Sequence, residues 1–262
     1  MSLLTLTDRE AIAAFYRPNA AAHLYEIGDL DDFFWPDTTW YGLEDNDTIR
    51  QIALLYTAGN LPILLAMTEP ERLSNLKELL AELLPVLPDR IYMHITASCL
   101  PILTASFQSA SYGMHWKMAL TNPAALDAAP RGETVDLAPG NRIEVEAFYQ
   151  AAYPYGWFDS RMLETEQYVG VRDDTGKLVC VAGVHVYAPT YRCAALGNIA
   201  TLPSVRGKGH ATTAVAALCR KLLQTTDAIG LNVRQDNEAA IRCYTRLGFT
   251  TVSEYEEVML TR

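Results

Sequence analysis

Basic side chains are scarce. The chain carries 21 Lys and Arg against 31 Asp and Glu, a net charge of −10. A nucleic-acid partner needs a basic face to neutralise its phosphates, so this balance argues against one. The deficit is uneven: residues 1–132 hold 8 basic and 16 acidic side chains, and residues 133–262 hold 13 and 15. The nearly balanced second half is the better host for an anionic ligand. Long apolar runs are also missing, and none reaches the roughly eighteen residues of a membrane span. The most apolar stretch, 52–67, is interrupted by Ala58-Gly59-Asn60 and reads as a hairpin. Residues 1–10 lack a basic n-region and an apolar h-region, so no secretory signal is expected and the location is expected to be cytoplasmic. Cysteine is sparse and odd in number: Cys99, Cys180, Cys193, Cys219 and Cys243 lie in apolar segments without metal-ligand spacing. They read as buried free thiols, and no metal is expected. His23, His94 and His115 sit among apolar neighbours without a partner at ligand spacing and read as structural.

The most informative stretch is 196–226. Leu196 to Leu202 is apolar enough for a buried strand, and Pro203 stops it because proline cannot donate to a ladder. From Ala211 the apolar positions Ala214, Val215, Leu218 and Leu222 recur at helical spacing, with no glycine or proline until Gly230. The turn between strand and helix holds Gly207 and Gly209, which admit unusual dihedrals and let a ligand approach main-chain N–H groups. Those groups are the unpaired donors of a helix's first turn, where the helix dipole is positive, and an anion fits there. A Walker loop is excluded because Gly-x-x-x-x-Gly-Lys-Ser/Thr is absent. A dinucleotide fingerprint fails as well: position 212 is Thr, and Asp227 precedes the next strand instead of ending it.

The pattern that does match is Arg-x-x-Gly-x-Ala at 206–211. It resembles the pyrophosphate loop of the GNAT superfamily of acyl-CoA-dependent N-acyltransferases. After a strand at 229–234 follows Asn237-x-x-Ala240-x-x-x-Tyr244-x-x-x-Gly248-Phe249, which resembles that superfamily's second signature at matching spacing. The resemblance covers about 133–262 and is nearest the glycine N-acyltransferase-like branch. It implies that acetyl-CoA, or another acyl-CoA, is the co-substrate. Main-chain groups of Ile199, Ala200 and Thr201 would bond the pantetheine arm between two splayed strands. Lys208, Gly209, His210, Ala211 and Thr212, with Gly207 in the turn, would hold the pyrophosphate. Arg206 and Lys208 either add charge there or are solvated loop cations. Asn237 would touch the cofactor arm, or cap its helix, or both. Tyr244 would protonate the leaving thiolate, its bland alternative being a buried packing residue.

The first half reads as two helices (7–17 and 20–33), a meander of strands (38–43, 48–56, 61–67), a helix (70–84), a strand (90–96), a helix (100–110) and a strand (112–120). The second half repeats this order with an extra opening strand at 134–137. We therefore expect an α+β fold with a mixed α/β sheet: a GNAT fold in the C-terminal half, preceded by a degenerate GNAT-like domain. The expected boundaries are 1–120 for the degenerate domain, 121–132 for a linker and 133–262 for the catalytic domain. In the first copy the loop position reads Met67-Thr68-Glu69-Pro70-Glu71-Arg72, whose acids would repel a pyrophosphate.

The implied activity is transfer of an acetyl group to a primary amine of a small molecule or amino acid by direct attack. The rivals are a protein amine as acceptor, or a CoA-binding scaffold without turnover. The scaffold is suggested by the proton acceptor: where family members often carry Glu on a splayed strand, this chain has Asn198 and Asn232. His185, Glu144, Glu146 and Asp159 remain as alternatives through an ordered water. The aromatic segment 153–158 is a candidate wall of the acceptor pocket or a cover for the core. No nucleic-acid or membrane partner is expected, and the chain would be a monomer or homodimer.

Overall fold

The computed structural model describes residues 2–154, 156 and 158–262. Tyr155 and Trp157 of the aromatic segment therefore lie outside the described residues. The chain divides into two compact units, Met1–Lys117 with Ser253–Arg262, and Met118–Val252.

The first unit opens with β1 (Ser2–Leu6), which the sequence reading missed. Helix α1 (Arg9–Tyr16) follows, started by Asp8, whose carboxylate accepts from the Glu10 and Ala11 N–H groups at 3.0 and 3.1 Å. Next come α2 (Leu24–Gly28), β2 (Thr38–Asp45), β3 (Thr48–Tyr56), β4 (Ile63–Ala66), α3 (Leu73–Leu83), β5 (Arg90–Ile95), α4 (Leu100–Thr104) and β6 (Gln108–Leu120). The helix expected over 100–110 is thus a single turn. The serine-rich segment after Phe107 joins the strand instead. Strands β1 to β4 pair antiparallel in sequence order, and β4 pairs parallel to β5. The β2–β3 hairpin turns on Asn46 and Asp47, both at positive φ, as a two-residue connection requires. Leu76, Leu79, Leu80 and Leu83 of α3 are buried at i, i+3, i+4, i+7 against Leu64, Met93 and Ile95, each stabilising by about 1.5–3 kcal/mol.

The second unit repeats the scheme with β7 (Val135–Leu137), α5 (Arg142–Ala152), a 3₁₀ segment (Ser160–Thr165), β8 (Tyr168–Arg172), β9 (Leu178–Ala188), β10 (Cys193–Thr201), α6 (His210–Leu222), β11 (Ala228–Arg234), α7 (Glu238–Arg246) and β12 (Phe249–Thr261). Strands β7 to β10 pair antiparallel in order and β10 pairs parallel to β11. With β1 included, the two halves share one order of elements from first strand to last. Residues beyond Val252 of β12 belong to the first unit, where this strand pairs antiparallel with β5.

Candidate active site

The β10–β11 ladder runs from Cys193↔Ala228 to Leu196↔Leu231 and ends there, although both strands continue. Beyond that pair, residues 197–201 have no partner on β11, so main-chain donors and acceptors face a gap that a ligand can fill. On its other side β10 bulges: its register with β9 shifts between Gly197 and Ala200, and Asn198 sits at φ 53°. Buried side chains fix the bulge. The Tyr149 hydroxyl donates to the Asn198 carbonyl at 2.6 Å, the Asn198 amide donates to the Tyr168 hydroxyl at 3.1 Å, and Tyr168 donates to the Val184 carbonyl at 3.0 Å. Burial pushes both phenols above their ordinary pKa, so both stay protonated as donors. The sequence named Asn198 only as a missing acid. Tyr149 and Tyr168 were not singled out; the signal available for Tyr149 is its helical spacing with Val145, Phe148 and Ala152, the residues it is buried beside on α5.

After β10 a 3₁₀ turn (Pro203–Val205) leads into the glycine loop. Gly207 and Gly209 have φ of 81° and 85°, and a Cβ at either would meet nothing within 4 Å. The conformation excludes other residues at low cost, and the space in front is open. Gly209 is the N-cap of the thirteen-residue helix α6, and as a glycine it offers no side chain to cap the first turn. Lys208 is exposed and His210 and Ala211 are partly exposed at that end. Arg206 is tied to main chain, donating to the Thr201 carbonyl at 3.2 Å and the Ala152 carbonyl at 3.5 Å, and so braces the loop between β10 and α5. Thr212 pairs with the Cys243 thiol at 3.3 Å, linking α6 to α7.

Asn237 caps α7, accepting from the Ala240 N–H at 3.2 Å. Tyr244, about two turns further on, is buried, and its ring lies 6.1 Å from that of Phe249. Burial first, and then the thiols of Cys243, Cys180 and Cys219, push its pKa up, which keeps the proton on the phenol at neutral pH. All five cysteines are free. No group of His, Cys, Asp or Glu among the described residues could hold a metal.

The candidate bases are mostly engaged. Glu144 forms a bidentate pair with Arg172 at 2.5 and 2.8 Å, Glu146 accepts from Arg142 at 2.7 Å, and Asp159 caps the 3₁₀ segment through the Arg161 N–H. The His185 ring packs over Gly197, where a Cβ would stand 2.2 Å from its Cδ2. A cleft of about 520 Å³ opens beside α5, lined by Ile143, Glu146 and Gln150 and by Tyr153, Phe158 and Ser160.

The corresponding ladder of the first unit is closed. β4 and β5 pair from Ile63↔Tyr92 to Ala66↔Ile95, the Thr96 N–H continues to the Ala66 carbonyl at 3.1 Å, and Thr96 Oγ1 accepts from the Thr68 N–H at 3.1 Å. Glu69, at the loop position, accepts from Asn19 and meets His23, each at 3.0 Å.

Residues 137–249 match the model of the acetyltransferase (GNAT) family. This stretch has the fold of the GNAT acetyltransferases, and the match spans less than half of the chain. No curated protein matches the chain in sequence. Solved structures share its fold over its whole length. A Drosophila protein superposes with a TM-score of 0.74 at 13% identity, covering 99% of this chain and 98% of its own. An acetyltransferase of the GNAT family from Colwellia psychrerythraea gives 0.60 at 14% identity, with 100% of both chains covered. A tandem GNAT protein from the clavulanic acid biosynthesis pathway gives 0.61 at 14%, covering 98% and 97%. No helix among the described residues is long and apolar enough to cross a membrane.

Proposed function

We propose that this protein is an acyl-CoA-dependent N-acyltransferase that transfers acetyl from acetyl-CoA to the primary amine of a small molecule or amino acid. The observation that carries the reading is the ladder that ends at Leu196↔Leu231 on the strand that leads, through the glycine loop, into a helix whose N-cap is Gly209. The gap suits the pantetheine arm, with main-chain groups of Ile199, Ala200 and Thr201 along it. The first-turn amides from Gly209 to Thr212, with Lys208 beside them, suit the pyrophosphate. The amine attacks the thioester carbonyl, a tetrahedral oxyanion forms and collapses, and the C–S bond breaks. Tyr244 donates its proton to the departing thiolate, and the proton that the ammonium releases passes to water, from which the phenolate is reprotonated. The cleft beside α5, with Glu146 and aromatic walls, is the acceptor entrance and suits a cationic amine. Residues 1–120 act as a degenerate domain without cofactor, in keeping with the closed β4–β5 ladder, and 121–132 as the linker. The protein would work in the cytoplasm as a monomer or homodimer.

A second reading, a CoA-binding protein without turnover, is favoured by the engagement of Glu144, Glu146 and Asp159 in ion pairs and caps. Calorimetry with CoA, together with amine-dependent release of free thiol across a panel of amines, separates the two. Thiol release with any amine supports the enzyme. CoA binding with no release supports the second reading, and no CoA binding rejects both.

A further inference from the structure

In the unit formed by Met1–Lys117 and Ser253–Arg262, the residues of β5 and β12 alternate between two unlike faces. Ile91, Met93, Ile95, Val258 and Leu260 enter the apolar core. Tyr92, His94, Tyr255 and Glu257 point the other way, with Glu257 directly opposite His94 in the ladder. The Glu257 carboxylate collects the Tyr92 hydroxyl on Oε2 and the Tyr255 hydroxyl on Oε1, the latter at 2.7 Å. The Nε2 atoms of His94 and His115 each stand 3.5 Å from Oε1, at the outer limit of a hydrogen bond. Aromatic rings crowd the same place. Tyr255 lies 4.7 Å from His94 and 5.4 Å from His115, and Tyr92 lies 5.5 Å from Tyr112, which is half exposed.

Packing alone does not call for this arrangement, since the opposite face is filled with leucine and isoleucine. Burial opposes ionisation of Glu257, but the neighbouring imidazoles and phenols hold its carboxyl below the usual range, so it is charged at neutral pH. Burial lowers His94 to about 4, so its charge acts on Glu257 only in the acid range and at neutral pH the ring is neutral. Among the described residues neither Lys nor Arg reaches Glu257, and the buried Nδ1 of His94 has no hydrogen-bond partner. A half-buried carboxylate ringed by aromatic faces repels anions, and its histidines do not form a metal-binding group with it. It is suited to an organic cation, which gains from the carboxylate and from the ring faces together.

We propose that Glu257, with Tyr92, Tyr112 and Tyr255, forms a binding site for a primary ammonium ion in the first unit. The site does not depend on the cofactor reading. The test is run on the full chain without CoA: n-propylammonium chloride is titrated while the ring C–H signals of His94 and His115 are followed by NMR, with sodium chloride at matched ionic strength as reference. The signals are expected to move saturably with the amine and not with sodium. Glu257→Gln should weaken binding roughly tenfold or more. Tyr112→Leu, at a half-exposed position that leaves the core intact, should weaken it several-fold. Immobile histidine signals, or an affinity unchanged in both variants, would overturn the proposal. Binding here alongside absent thiol release would leave it standing.

Discussion

Leu196 and Leu231 face each other across the parallel β10–β11 ladder of the second unit and are its last pair. In the first unit the equivalent last pair, Ala66 and Ile95, is followed by a further hydrogen bond from Thr96. The same order of strands thus ends in a gap in one copy and in a sealed edge in the other. The difference lies in local chemistry. A bulge at Asn198 turns β10 aside, whereas Thr96 uses both its N–H and its hydroxyl to keep the β4–β5 end closed.

The gap is proposed to receive CoA, and Gly209 tests this most directly. Gly209→Glu puts a side chain with a negative charge at a residue with φ 85°, where the first-turn amides are offered. CoA binding by calorimetry should be lost while the melting temperature stays within a few degrees. Unchanged CoA affinity would remove the loop from the site.

Tyr244 is protonated and buried beside the α7 thiol of Cys243, as a proton donor must be. Tyr244→Phe keeps the ring and removes the proton. In the thiol-release assay kcat should fall about 10²-fold or more with CoA affinity retained. Full activity would leave Tyr244 as a packing residue.

Much of this site was legible because its signals are local. Pro203, the two loop glycines and the spacing from Asn237 to Phe249 fix strand end, turn and helix within a few residues of themselves, and each element lies where that chemistry puts it. β1 was not legible: five residues next to the terminus offer too short a pattern, and the strand exists because β2 pairs with it from Leu6↔Trp40 to Ser2↔Glu44. α4 was overextended because Ser106 to Ala110 carry no clear period, and the strand takes the chain from Gln108 onward. Long-range side-chain pairings were invisible. Tyr149 meets Asn198 49 residues away, and Lys117 meets Glu26 91 residues away, so neither spacing carries a signal.

Among the described residues, the Tyr149 hydroxyl is the side-chain donor to that bulged carbonyl. Tyr149→Phe preserves the packing against Phe158, whose ring lies 4.5 Å away, and strips the carbonyl of its partner. The expected cost is about 1–3 kcal/mol, read as a lower denaturation midpoint with unchanged slope. An unchanged midpoint would mean that water replaces the phenol and the bulge is held otherwise.

The first unit holds a buried charge network with a pH signature of its own. His23 bridges Glu26 and Glu69 at 3.0 Å on each ring nitrogen, and Lys117 lies 3.5 Å from Glu26. Burial would raise the Glu26 carboxyl, but the Lys117 ammonium and the His23 imidazolium outweigh it and hold it at about 2. The His23 hydrogen bond, opposed by burial, holds Glu69 at about 2 as well. Both folded values lie below the ordinary 4.5, so their stabilisation is present above that value and is lost as pH falls from about 4.5 towards 2. His23 behaves in the opposite sense. Burial lowers it, but Glu26 and Glu69 together leave it raised above 6.5, so its contribution is complete below 6.5 and fades as pH rises through the raised value. Melting temperature should therefore form a dome against pH. Glu69→Gln should flatten its acid limb and shrink the alkaline one, because the variant removes a titrating carboxylate and one of the two groups that keep His23 charged. A dome of the same shape in wild type and Glu69→Gln would show that the network does not govern the pH range of the fold.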